Sequence, residues 1–101
     1  MRKVIWSKMA IDDFEENIEF LKERWNDKII VNFLEKTKTV IDLIKRNPNL
    51  GAWDSSIECN KILVTKHIYL FYVMEKNEIH LLRFWNNFKK PYWPIDTSSQ
   101  N

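Results

Sequence analysis

Apolar residues recur at positions 11, 14, 18, 21 and 25 (Ile, Phe, Ile, Leu and Trp), a three-four spacing that lays one stripe along a helix. Ser7 can cap its start. Asp12, Asp13, Glu15 and Glu16 crowd the first turns, where the helix dipole favours negative charge, and Lys22 and Arg24 stand near the end. A second helix is predicted from Asn26 or Asp27 to about Arg46, with Ile30, Phe33, Leu34, Thr37, Ile41 and Ile44 on one face. Pro48 disfavours helix at Asn47 and ends it. Only the few residues from Trp25 to Lys28 join the two helices, so they must fold back as an antiparallel hairpin that buries both stripes.

Asn47-Pro48-Asn49-Leu50-Gly51 is the densest turn signal and contains the only glycine, dividing a helical half from a strand half. Beyond it, Ile57 to Val64, Ile68 to Glu75 and Glu78 to Trp85 read as strands rich in β-branched and aromatic residues. Lys76-Asn77 fits a tight hairpin loop, with Asn the residue expected to take a positive φ. Alternation puts Tyr69, Phe71 and Val73 on one face and Ile68, Leu70, Tyr72 and Met74 on the other, while Ile79, Leu81, Arg83 and Trp85 share a face of the last strand. A strand from Lys3 to Trp6 joins this sheet. The prediction is an α+β domain over residues 1–95 in the order β-α-α-β-β-β, its helix hairpin packed on an antiparallel sheet, with a flexible tail at 96–101.

A length of 101 residues suits one domain, and 31 residues of Ile, Leu, Val and Phe are too many for a disordered chain. Such a domain hides about 65% of its unfolded surface, a thin core that argues against flavin, haem or dinucleotide enzymes. The lone Cys59 cannot form an internal disulfide, which points to a reducing, cytoplasmic setting. No signal peptide or membrane-spanning stretch is expected. Sixteen basic against 14 acidic residues give a net charge of +2, too small an excess to demand nucleic acid.

Motif chemistry is nearly silent: there is no phosphate-binding glycine loop, no HExxH, CxxC or GxSxG, and no metal or cofactor is expected. The helix dipole explains the paired carboxylates Asp12-Asp13 and Glu15-Glu16. His67 reads as a loop histidine or a proton shuttle, His80 as a structural histidine facing Leu82 and Phe84, and Cys59 as a packed side chain. Arg83 is the informative residue, because a guanidinium amid Leu81-Leu82-Arg83-Phe84-Trp85 needs an acceptor. It has either a carboxylate partner, such as Glu58 or Glu75, or an anion site shared with Lys61 or Lys66. Lys89-Lys90-Pro91-Tyr92-Trp93-Pro94 mixes cations with aromatics, as nucleic-acid surfaces do, and equally suits an extended strap.

The series Trp6, Ala10, Phe14, Ile18, Leu21, Trp25, Phe33, Ile44, Asn47-Pro48, Gly51, His67, Leu70-Phe71-Tyr72 and Leu81-Leu82-Arg83-Phe84-Trp85-Asn86-Asn87 resembles the ParE/RelE superfamily of toxins from bacterial toxin-antitoxin operons. The resemblance covers Trp6 to about Pro91 and is nearer to ParE-like members. It implies an antiparallel sheet with an N-terminal helix hairpin. It also implies either poisoning of DNA gyrase, as in ParE-like relatives, or mRNA cleavage on the ribosome, as in RelE-like ones. The partner implied is a cognate antitoxin encoded by an adjacent gene, and Tyr69, Phe71, Leu81 and Trp85 are its expected contacts. Arg83, Lys61, Lys66, Lys89 and Lys90 are the expected target contacts. For a nuclease, Lys61 and Arg83 match two site positions, with His67 a further candidate. The third position reads Trp85-Asn86-Asn87, neither type able to exchange protons near neutral pH, so Tyr92 would have to replace it. A toxin that has lost its activity and keeps only antitoxin binding is the third reading.

Overall fold

Ser7 closes a strand and opens a helix at once. In the computed structural model, which describes residues 2–88, β1 (Lys3–Trp6) stops at Trp6. The Ser7 Oγ then accepts from Ala10 N at 3.0 Å, capping α1 (Lys8–Arg24). Asn26 caps α2 (Asp27–Arg46) in the same way through Ile29 N, so Trp25 and Asn26 alone make the turn of the helix hairpin. Both helices start and end where capping and Pro48 place them.

The strand half carries one element more than expected: a short β2 (Ala52–Asp54) precedes β3 (Cys59–Thr65), β4 (Ile68–Glu75) and β5 (Glu78–Asn86). The five strands lie in the order β1-β5-β4-β3-β2, β1 parallel to β5 and the other pairs antiparallel. The fold is α+β, the helix hairpin covering one face of the sheet. In the β4–β5 hairpin it is Lys76 that takes the positive φ of 58°, and Asn77 does not.

Two details of the patterning differ from the sequence reading. On α1 the fully buried residues are Ala10, Asp13, Asn17 and Leu21, Phe14 and Ile18 pack half-buried against the core as the spacing predicts, and Ile11 and Trp25 lie exposed. The stripe is turned by about one position, and two polar residues sit in it. On β5 the register slips between the pairs Phe71↔Arg83 and Tyr72↔Leu81, leaving Leu82 unmatched. Such a bulge reverses the alternation. Ile79 and Leu81 therefore face the helices, Arg83 and Trp85 the opposite side, and Phe84 returns to the core opposite Leu70.

The core between helices and sheet gathers Phe33, Val40 and Ile44 of α2 with Ile68, Leu70, Tyr72, Ile79, Leu81 and Phe84. Trp6 and Phe14 pack against it through ring contacts with Phe84 at 5.3 and 5.2 Å. Tyr72 also fastens the crossover from helices to strands: its hydroxyl accepts from Gly51 N at 2.8 Å and donates to Pro48 O at 2.7 Å. Burial pushes the Tyr72 phenol above its ordinary pKa, opposed by the Gly51 hydrogen bond. A Cβ on Gly51 would stand 2.7 Å from that hydroxyl and 2.8 Å from Lys61 O, so close approach rather than backbone conformation requires glycine here.

Replacing Gly51 by Ala is expected to cost about 1–3 kcal/mol, the scale of overpacking a tight site. Tyr72→Phe strands the Gly51 N–H and should cost about 1–3 kcal/mol. Urea unfolding measures both, and an unchanged midpoint for Gly51→Ala would show that the contact is not tight.

Candidate functional site

β1 is too short to pair with the whole of β5. It covers Glu78 to Leu81, and the Ser7 N–H extends the ladder to Leu81 O at 3.1 Å while the Ser7 hydroxyl donates to Leu82 O at 3.1 Å. Beyond that point the edge of β5 is met by α1. Asp13 Oδ2 accepts from Phe84 N at 3.0 Å, and Asn17 Nδ2 donates to Phe84 O at 3.1 Å. Residues four apart share a helix face, so these two side chains do for Phe84 what a neighbouring strand would do.

Asp13 is 8% exposed, and a buried carboxylate needs a cation. Arg83 supplies it: Nε donates to Oδ2 at 2.6 Å and Nη2 to Oδ1 at 3.0 Å. These hydrogen bonds raise the guanidinium pKa further, against the lowering effect of burial. The carboxylate expected opposite Arg83 thus exists, but it is Asp13 and neither Glu58 nor Glu75. Glu58 lies in the turn before β3, and Glu75 is 3.8 Å from His80. The helix dipole does not explain Asp13, because α1 starts at Lys8 and carries no acidic residue in its first turn; only its place in the corrected stripe would have marked it.

Arg83 still belongs to the sheet face that the helices leave open. Its side chain is 32% exposed, its guanidinium carbon lies 5.2 Å from the Trp85 ring centroid, and Nη1 makes no hydrogen bond among the described residues. Lys61, Phe71 and Arg83 stand in register across β3, β4 and β5, which sets the two cations about 10 Å apart at the backbone. Lys61 pairs with Asp54 at 3.2 Å and lies 5.9 Å from the Tyr69 ring centroid. Leu63, Tyr69 and Trp85 make the next row, and Phe71 stacks on Trp85 at 6.1 Å. Cys59 is buried near Lys61, its thiol pKa raised by burial first and by Asp54 second, against Lys61.

The other expected site residues are dispersed. Leu81 is wholly buried in the helix-covered core, so it cannot share a contact surface with Tyr69, Phe71 and Trp85; the bulge at Leu82 separates them. Lys66 and His67 form the turn between β3 and β4, about 16 Å along the strand from Lys61. His67 stacks on Phe88 at 5.0 Å. His80 pairs with Glu78 at 3.1 Å, and the bulge puts Phe84 on the opposite, core face from it. Lys89, Lys90 and Tyr92 lie outside the described residues. Among the described residues no group of His, Cys, Asp and Glu is placed to hold a metal ion, and no helix is long and apolar enough to cross a membrane.

No protein-family model and no curated protein matches the chain. Solved structures share its fold. A YoeB/ParE toxin from Agrobacterium tumefaciens superposes with a TM-score of 0.61 at 16% identity, over 83% of this chain and 96% of that one. A YoeB-YefM complex from Staphylococcus aureus gives 0.56 at 14% identity, over 83% and 94%. A copper-bound mutant toxin from Helicobacter pylori gives 0.53 at 18% identity, over 89% and 99%. The architecture is the one that the ParE/RelE resemblance implies.

Arg83→Met strands the buried Asp13 and should cost about 3–5 kcal/mol, as breaking a buried pair does. Asp13→Asn keeps an acceptor for Phe84 N and leaves Arg83 partly hydrated, so its cost should be smaller, about 1–3 kcal/mol. The double variant should be more stable than the sum of the two single losses implies, because neither charge is then left unpaired. Strict additivity in urea unfolding would mean that the pair is not coupled.

Proposed function

We propose that this chain is the toxin component of a type II toxin-antitoxin system, of ParE type: it inhibits growth by binding a macromolecular target, DNA gyrase, and a cognate antitoxin silences it. The observation that carries this reading is the open sheet face, in a fold shared with YoeB/ParE-type toxins. There Arg83 and Lys61 flank Phe71, with Tyr69 and Trp85 beside them. Such a face is suited to gripping an anionic or mixed surface: the Arg83 side chain is partly exposed while Asp13 holds Nε and Nη2 of its fork still.

Its chemistry favours binding over RNA cleavage. Proton exchange at a ribose hydroxyl calls for a group that titrates near neutrality. His67 lies in the β3–β4 turn, about 13 Å along the strand from the row of Lys61, Phe71 and Arg83, and His80 is engaged by Glu78. The last strand ends in Trp85-Asn86, which cannot serve. The antitoxin partner is inferred by analogy with the YoeB-YefM complex.

Induction in a bacterial host, with DNA supercoiling and mRNA integrity read separately, tests the proposal. The expected result is growth arrest with filamentation and a DNA-damage response while bulk mRNA stays intact. Codon-specific cuts at ribosomal A sites would replace this reading with a RelE-like mRNA endonuclease, and normal growth would remove the toxin reading altogether. Arg83→Lys keeps the charge but loses the planar fork, so inhibition should fall by about tenfold or more in the inducer dose required.

A further inference from the structure

Where the helix hairpin diverges from the sheet, a cavity of about 310 Å³ opens between the end of α1, the start of α2, the β3–β4 turn and the residues after β5. Phe20, Leu21, Phe33 and Ile68 wall it. Trp25 and Phe88, each about half exposed, and Ile29 form its lip. The lip is held open: Phe88 is stacked on His67 and meets Phe20 edge-on at 5.8 Å, and Phe88 N donates to Asn86 Oδ1 at 2.9 Å. Exposed aromatic area of this kind, concave and preorganised, is where a partner gains most from burial.

Among the described residues that line the cavity the one charged side chain is a cation. Among the described residues no carboxylate lines it, whereas Lys66 does, and the Arg24 guanidinium lies 4.7 Å from the centroid of the Phe20 ring on its wall. Neither cation makes an ion pair among the described residues. The open sheet face differs in both respects, since Phe71 is already covered there and both cations have carboxylates.

We propose that this groove, rather than the open face, is the docking site for the antitoxin. The occupant is an acidic amphipathic segment whose bulky apolar side chain enters the cavity between Trp25, Ile29 and Phe88 while its carboxylates meet Lys66 and Arg24. The proposal rests on the toxin reading above. It leaves Arg83 and Lys61 uncovered by this contact.

Calorimetric titration of the full chain with the product of the adjacent reading frame tests it, using Ile29→Asp and Lys66→Glu in the groove and Val31→Asp on the outer face of α2. All three positions are exposed, so the variants should keep the wild-type melting temperature. Affinity should fall about thirtyfold or more for Ile29→Asp and stay within about twofold for Val31→Asp, as expected of a localised hot spot. Lys66→Glu should cost about tenfold, a loss that shrinks as salt rises. A complex formed equally well by both groove variants would overturn the proposal and leave the toxin reading standing. A fall in the melting temperature of Ile29→Asp alone, with affinity unchanged, would give the groove to the chain's own residues beyond Phe88 and likewise overturn it. No complex with the wild-type chain would remove the toxin reading and the proposal together.

Discussion

One carboxylate ties the two halves of this protein together. β1 ends at Trp6 because Ser7 must cap α1, and the early exit leaves the last part of β5, paired with β4 on one side, without a strand on its other edge among the described residues. An unpaired strand edge next to a core is costly in backbone hydrogen bonds and invites wrong pairing. Asp13 and Asn17 answer for Phe84 from one turn of α1. The solution creates a need of its own, since Asp13 is now a buried anion. Arg83, one residue before Phe84, has its Cα on the open-face side of the pleat and reaches round the same uncovered edge to meet it.

The bulge at Leu82 makes that possible. With regular alternation Leu81 and Arg83 would share a face, and the guanidinium would be forced among Leu70, Tyr72 and Ile79. An unmatched residue lets Leu81 and Phe84 both enter the core while Arg83 turns outward. A sheet edge, a register shift and an ion pair are thus three aspects of one arrangement. It holds Arg83 by two of its nitrogens while leaving the side chain partly exposed.

The helix hairpin gives the molecule two unlike surfaces. The open sheet face is cationic and aromatic, but its charges are compensated and its rings cover one another. The groove at the hairpin's turn is more apolar, and neither Lys66 nor Arg24 makes an ion pair among the described residues. The helices meet in a two-residue turn, and at that end Trp25 and Ile29 stay exposed at the mouth of the cavity.

Local signals in the sequence determined most of the architecture: Ser7 and Asn26 as caps, Pro48 as a stop, and the hydrophobic runs as strands, since each depends on neighbours a few residues away. The short β2 escaped because Ala52-Trp53-Asp54 is a strand only by pairing with β3. The ordered residues from Trp6 to Asn87 also carried the fold resemblance. Tertiary structure alone decided the site. Asp13 and Arg83 are 70 residues apart, and nothing local distinguishes Asp13 from Asp12, which pairs with Lys8 on the surface. A bulge shifts the alternation by one residue without a composition of its own, so Leu81 and Arg83 could not be separated from the sequence. Lys61 and Lys66 looked like neighbours because strand length is hidden in a list of residues, whereas the sheet sends one to its centre and the other to a turn. Capping and periodicity are short-range and can be read along the chain; a buried charge is paired across space, and only the folded geometry names its partner.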